Sequence, residues 1–533
     1  MNEFELATLD TIDQFIQTAV FIDDQAFSEK REDAHFFNGT AVTSSFAKRG
    51  KICGVYKPEN IEDVDMLANV ASKADCCILD WQINLLESVE SNVGDNGDEE
   101  EDDIDETRGI YTRQIIDLII GHDGNDEDNY RVVIIYTGEV DLAEISRIVE
   151  NDLKKNDRSF KRIDDFTLRA DNTTIGVYAK PTPDSKNERF RHTPELSARV
   201  VNFEEIYNVI LRNFLNQTDG GLISNFILKS LTSIRKNTSA LLGHYNDDLS
   251  APYIVHRALL PVSEDAEVFM LDILAESIKG IINESNASEA ISVDNCKLWI
   301  DHNDYLSNLY IDDGQKQLTK GILSGFISED GIGKTLKKKY DNISKNSIQK
   351  TEKDIVSKKS SIMIEDSGRA QAADSKFYLV NHHKTIFNSG NVNSMLSLGT
   401  ILKSDANDEY WLCVQPKCDC VRLVISAKFL FAKLSVVEQG GYDIVVYRNG
   451  YVKLKLVKNV KGLKTIVFNI DSGKDRVLSK KGDVENYYVS NYDEKFILVS
   501  ELKEGISLNL ASNLYDNLSR IGIDSYEAVR RIK

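Results

Sequence analysis

Five polar side chains stand at the carboxyl ends of short apolar runs in the first third of the chain. Asp23 and Asp24 follow 20–22, Asp80 follows 76–79, Thr137 follows 132–136 and Lys180 follows 174–179. In an open α/β sheet, strand ends of this kind are where sites assemble. Three carboxylates around one point repel one another unless a hard cation such as Mg2+ sits between them. Asp23, Asp24 and Asp80 therefore imply a metal site. A hydroxyl at Thr137 and an ammonium at Lys180 would complete it, binding the oxygens of a phosphoryl group with the lysine as a point charge. A lone aspartate at a strand end is more often a helix cap than a nucleophile, so the weight lies on the set and its order.

The elements that must position these groups follow from periodicity. Helical spacing over 11–19, 61–71 and 142–153 alternates with strand-like runs at 20–22, 51–56, 76–79, 132–136 and 174–179. That alternation predicts an α/β domain over 1–183, a doubly wound, flavodoxin-like parallel sheet with helices on both faces. An acidic insert near 90–108 interrupts it, and like-charge repulsion there predicts a solvated loop. A polar stretch, 184–193, is expected to be a linker. Ile206, Ile210 and Phe214 open a mostly helical middle region, 194–370. Strand-like runs at 410–414, 421–425, 442–447, 452–456, 465–469 and 496–499 then predict a β-rich C-terminal domain, 376–533, ending in short helices.

Composition narrows the function classes. The chain has 533 residues, 41% of them hydrophobic, which excludes wholesale disorder and predicts several cores. Its formal charge of −21, from 64 basic and 85 acidic residues, opposes direct nucleic-acid binding and adhesion to anionic membranes. No apolar run approaches the roughly 18 residues of a membrane helix. The start, MNEFELATLD, lacks the basic and apolar pattern of a secretion signal. Seven scattered cysteines do not form a disulfide framework. A cytoplasmic location is expected.

The motifs Phe21–Asp24, Ile78–Trp81, Ile134–Thr137 and Val177–Pro181 resemble the receiver domain of bacterial two-component signalling. The resemblance implies a response regulator-like phosphoprotein in which Asp80 accepts a phosphoryl group from a histidine kinase. It implies that Asp23, Asp24 and Asp80 hold Mg2+ with the backbone carbonyl of Gln82, and that Thr137 and Lys180 read the phosphorylated state. It also allows a cis Lys180–Pro181 bond. The strand spacings are longer than a compact receiver needs, Asn84 stands where the family commonly has proline, and Tyr178 lies two residues before Lys180 instead of three. On a period-two strand that offset points Tyr178 at the opposite face. The enlarged form is similar to response-receiver proteins of bacterial conflict and phage-defence loci, whose C-terminal motifs match 415–420 and 519–522. The implied output is contact with a downstream effector protein.

Two other readings stay open. One is a pseudo-receiver that binds partners without phosphorylation. The other is a defence effector enzyme with an active site around Cys418 and Asp419. Cys413, Cys418 and Cys420 with His382 and His383 have poor zinc spacing. Gly331–Thr335 lacks the first glycine of a phosphate-binding loop, so it reads as a turn.

Overall fold

In the computed structural model, the described residues run from 2 to 518, apart from 28–36, 86–107, 122–130, 182–193, 312–315, 385–393, 471–474 and some isolated positions or pairs. The acidic insert up to residue 107, the 184–193 linker and the 519–522 motif lie outside them. The chain divides into two compact units, Met1–His302 and Asn303–Lys533.

The first unit is built on a seven-stranded sheet: β1 (Thr18–Ile22), β2 (Ile52–Tyr56), β3 (Cys76–Leu79), β4 (Arg131–Thr137), β5 (Phe160–Asp164), β6 (Thr167–Ala170) and β7 (Thr173–Ala179). Its order is β2-β1-β3-β4-β7-β6-β5, with the first five strands parallel. This is the doubly wound, flavodoxin-like arrangement. The β5-β6 hairpin extends this parallel sheet at one edge, with β6 pairing antiparallel with β7. Asp164 turns it by accepting a hydrogen bond from the Phe166 amide at 2.8 Å. The edge strand β5, Phe-Lys-Arg-Ile-Asp, is too charged to read as a buried strand, and charge on an edge protects it from unwanted pairing.

Residues alternate across the sheet. Val20, Ile22, Leu79, Ile135 and Val177 face the helices Ile61–Ala71, Ile110–Gly121 and Leu142–Lys155. Phe21, Ile78, Ile134 and Tyr136 face Glu3–Phe15, Gly39–Ala47 and Ile206–Thr218. Local sequence sets these helices. Asn60 and Asp63 form a reciprocal capping box, while Asp141 caps Leu142–Lys155, which ends in Lys154 and Lys155 against the dipole. Ile206, Ile210 and Phe214 are buried on one stripe, so the helix that opens the sequence-defined middle region covers this sheet. Backbone bonds between Ala179 and the 199–201 segment tie it there. Longer helices, including Leu222–His244 and Asp265–Glu284, complete the unit.

The second unit starts with a pair of two-residue antiparallel strands, β8 (Tyr310–Ile311) and β9 (Lys316–Gln317), and helices through Ser367–His382. An eight-stranded antiparallel sheet follows: β10 (Thr400–Ser404), β11 (Tyr410–Cys413), β12 (Ser426–Val436), β13 (Ile444–Tyr447), β14 (Tyr451–Leu456), β15 (Leu463–Asn469), β16 (Tyr487–Val489) and β17 (Lys495–Glu501). The helix Glu504–Leu518 packs on one face. The helical middle and β-rich C-terminal regions are thus both present. The run 421–425 is not a strand; Val424 is 85% exposed, and β12 begins at Ser426 against β15 and meets β11 and β14 further along. Gly331–Thr335 opens a helix instead of forming a turn.

Candidate functional site

Register brings four strand ends together. Ile22 pairs with Leu79 in the β1-β3 ladder, so the next residues, Asp23 and Asp80, emerge side by side. The Asp80 amide donates to the Ile22 carbonyl at 2.9 Å. Thr137 pairs with Ala179 in the β4-β7 ladder, and the Lys180 amide donates to the Thr137 carbonyl at 2.7 Å. A one-residue slip would turn either side chain away.

All five side chains are buried, Asp80 at 0% exposure and Lys180 at 1%. The Lys180 ammonium bridges Asp23 Oδ2 at 2.8 Å and Asp80 Oδ1 at 2.9 Å. Asp80 Oδ2 is shielded from solvent and has no hydrogen-bond donor among the described residues. Asp24 is held differently: its Oδ2 accepts from the Asn84 amide and side chain, both at 3.2 Å, and from Gln25 at 3.4 Å. Asp23 Oδ1 accepts from the Gln25 amide at 2.8 Å. Thus Asn84, at the position where proline was expected, anchors a site carboxylate.

Burial dominates the electrostatics. Desolvation pushes the Asp80 carboxyl up to about 7, against the opposing pull of Lys180. Asp23 is raised for the same reason, again opposed by Lys180. Desolvation acts to lower the Lys180 ammonium, but Asp80 and Asp23 outweigh it and hold the group well above its ordinary value. With Asp24, three carboxylates and one ammonium leave a formal charge of −2 in a dry site. Ligand oxygens of Asp23, Asp24 and Asp80 lie within 4.8 Å of one another. The charge deficit, the oxygen-only donor set and the unpartnered Asp80 Oδ2 fit a hard divalent cation. Among the described residues, this is the single cluster of three or more His, Cys, Asp or Glu side chains so placed. The cysteines and histidines weighed for zinc do not assemble.

Thr137 lies at the site's edge, where its Oγ1 accepts from the Glu139 amide at 3.1 Å. Gln82 donates its side chain to Glu139 Oε1 at 2.8 Å, and Glu139 also pairs with Arg108. Three positioning residues escaped sequence reasoning. Thr112 donates to the Asp80 carbonyl at 2.6 Å and also contacts the Trp81 carbonyl, fixing the backbone that carries Asp80. Glu139 and Arg108 bridge the loops after β3 and β4. No local motif marks them, because they lie about 30 residues or more from the groups they hold.

The bond before Pro181 is trans; no cis peptide occurs among the described residues. Tyr178 points away from the site, as its strand offset predicts, and its hydroxyl accepts from Asn213 at 2.8 Å beneath the Arg199 guanidinium. Cys418 is exposed and donates to Asp419 at 3.3 Å, a bond that raises the thiol's pKa and disfavours a thiolate nucleophile. No described helix is long and apolar enough to cross a membrane.

Residues 15–185 match the family described as response receiver domain. No curated protein and no solved structure matches the chain. The matched segment holds β1 through β7 and all five strand-end groups, and it is a divergent response receiver domain.

Proposed function

We propose that the receiver domain of residues 15–185 is a phosphoryl acceptor, with Asp80 as the modified residue. The unpartnered Oδ2 of Asp80 carries this reading, since it leaves a buried nucleophile beside Lys180 and two further carboxylates. Asp80 Oδ2 forms a bond to phosphorus, and the bond from phosphorus to the donor atom breaks, its electron pair leaving with the donor. Asp23, Asp24 and Asp80, with the Gln82 carbonyl, would hold Mg2+, which when bound offsets charge on the phosphoryl oxygens. Lys180 supplies a second positive charge and Thr137 a hydroxyl donor. A new dianionic group then competes for Lys180, which already bridges Asp23 and Asp80, and can accept from the Thr137 hydroxyl, whose oxygen is positioned by the Glu139 amide. That competition is the local electrostatic event by which phosphorylation biases neighbouring segments.

A histidine kinase is the donor this reading implies, and a downstream effector protein receives the output in the cytoplasm. A place in phage defence rests on the resemblance to conflict-locus receivers alone. The test is intact-mass analysis after incubation with Mg2+ and a small acyl-phosphate donor. One hydroxylamine-labile phosphate, absent from Asp80→Ala, is expected. No adduct with that donor or with the candidate kinase would favour a pseudo-receiver that binds partners unmodified.

A further inference from the structure

The second unit carries a polar cavity of about 590 Å³ that has no part in the receiver chemistry. It lies between the end of the helix Lys345–Lys358, the turn Lys359–Ile362, the start of Ser367–His382 and the loop between β12 and β13. Lys358, Lys359 and Lys453 converge on it. In a chain of net charge −21 that pairs many of its surface lysines, none of these three forms an ion pair among the described residues.

The arrangement around Lys359 is specific. Its ammonium donates to the Tyr442 hydroxyl at 2.9 Å and stands 4.6 Å from that ring's centroid and 5.2 Å from that of Tyr378. Lys453 approaches the same Tyr442 ring at 5.6 Å. Lys359 also adopts φ 46°, a region unfavourable for a non-glycine residue that persists where the surroundings over-determine it. Two acidic residues also line the cavity. Asp374 is engaged by the Ser360 amide and hydroxyl at 3.3 and 2.7 Å, and Glu438 is exposed. Open space lies beside both Gly440 and Gly441, so a ligand can approach their backbone closely.

We propose that this cavity binds a phosphorylated small molecule of nucleotide size. Three ammonium groups, none in an ion pair among the described residues, outnumber Asp374 and Glu438 at the cavity and supply the charge complement of a phosphate chain. Ser367 adds a hydroxyl at the wall, while the Ser361 hydroxyl donates to the Lys358 carbonyl. The volume falls in the range of small-molecule sites and far exceeds the need of an inorganic ion. Tyr378 and Tyr442 provide an aromatic wall for the organic part.

The test is calorimetric titration of the full chain with ATP, and separately with tripolyphosphate, which has the charge but no ring. Saturable ATP binding is expected, weakened at least tenfold in Lys359→Ala/Lys453→Ala, unchanged in Asp80→Ala, and weaker for tripolyphosphate. Lys359→Gly separates binding from folding: glycine accepts the positive φ, so this variant is expected to keep its thermal stability while losing affinity. Absence of saturable binding by both probes would overturn the proposal, as would affinity that survives both lysine variants or disappears in Asp80→Ala.

Discussion

Replacing Lys180 by methionine keeps most of the side chain's length and removes its charge from the centre of the acidic cluster. Each of its two contacts, at 2.8 and 2.9 Å, is worth roughly 6 kcal/mol in gross Coulomb energy at an effective dielectric near 20. Desolvation of the ammonium offsets several kcal/mol of that total, and removing one partner from a buried ionic group costs about 3–5 kcal/mol net. Three buried carboxylates then face one another, and they can escape only by taking up protons. The loss in Lys180→Met should therefore approach that range at pH 8.5 in EDTA and shrink at pH 6, below the value of about 7 to which burial raises Asp80. Saturating Mg2+ should recover part of it by replacing the missing positive charge. Urea denaturation at the two pH values, with and without Mg2+, measures all three effects. A loss below about 1 kcal/mol at pH 8.5 without Mg2+ would refute the reasoning, because the bridge would then contribute no more than an exposed surface pair.

Three further outcomes follow from named contacts. Asp80 has a folded-state pKa raised from 3.8 to about 7, so its contribution is present below the unfolded value and is lost as pH rises through 7. Metal-free protein should lose stability between about pH 4 and 7 relative to Asp80→Asn, and matching profiles for the two would exclude Asp80 as the cause. His383 titrates in the opposite sense: burial lowers it from 6.5 to about 4, Nε2 meets the Val445 carbonyl at 2.7 Å, and Nδ1 has no hydrogen-bond partner among the described residues. Its neutral form stabilises the second unit above pH 6.5, and about 3 kcal/mol of that is lost as pH falls to 4; His383→Gln should flatten this limb in thermal denaturation. Gly109 has φ 63°, and a Cβ there would come within 2.6 Å of the Trp81 ring. Gly109→Ala should cost about 1–3 kcal/mol, combining backbone strain with overpacking, and an unchanged melting temperature would show that Trp81 moves freely.

Periodicity alone located the parallel strands, because each is a short apolar run ending in a polar residue. The type and order of Asp23, Asp24, Asp80, Thr137 and Lys180 were equally legible, since strand ends in an open sheet share one edge. Other features needed the fold. The charged strand β5 is stable only through its partner β6, so no local pattern marks it. Val421–Ile425 looks more like a strand than Ser426–Val436 does, yet pairing with β11, β14 and β15 decides the matter. The helix Ile206–Thr218 reads as amphipathic in sequence, but only packing against Tyr136 and Phe21 assigns it to the receiver sheet. The clamp of Thr112 on the Asp80 backbone, the Asn84 bond to Asp24 and the bridge of Lys180 between two carboxylates likewise join residues far apart in sequence. Sequence determines which groups stand at each strand end; ladder register and burial decide that Asp80 keeps one oxygen unpartnered, and burial raises its pKa.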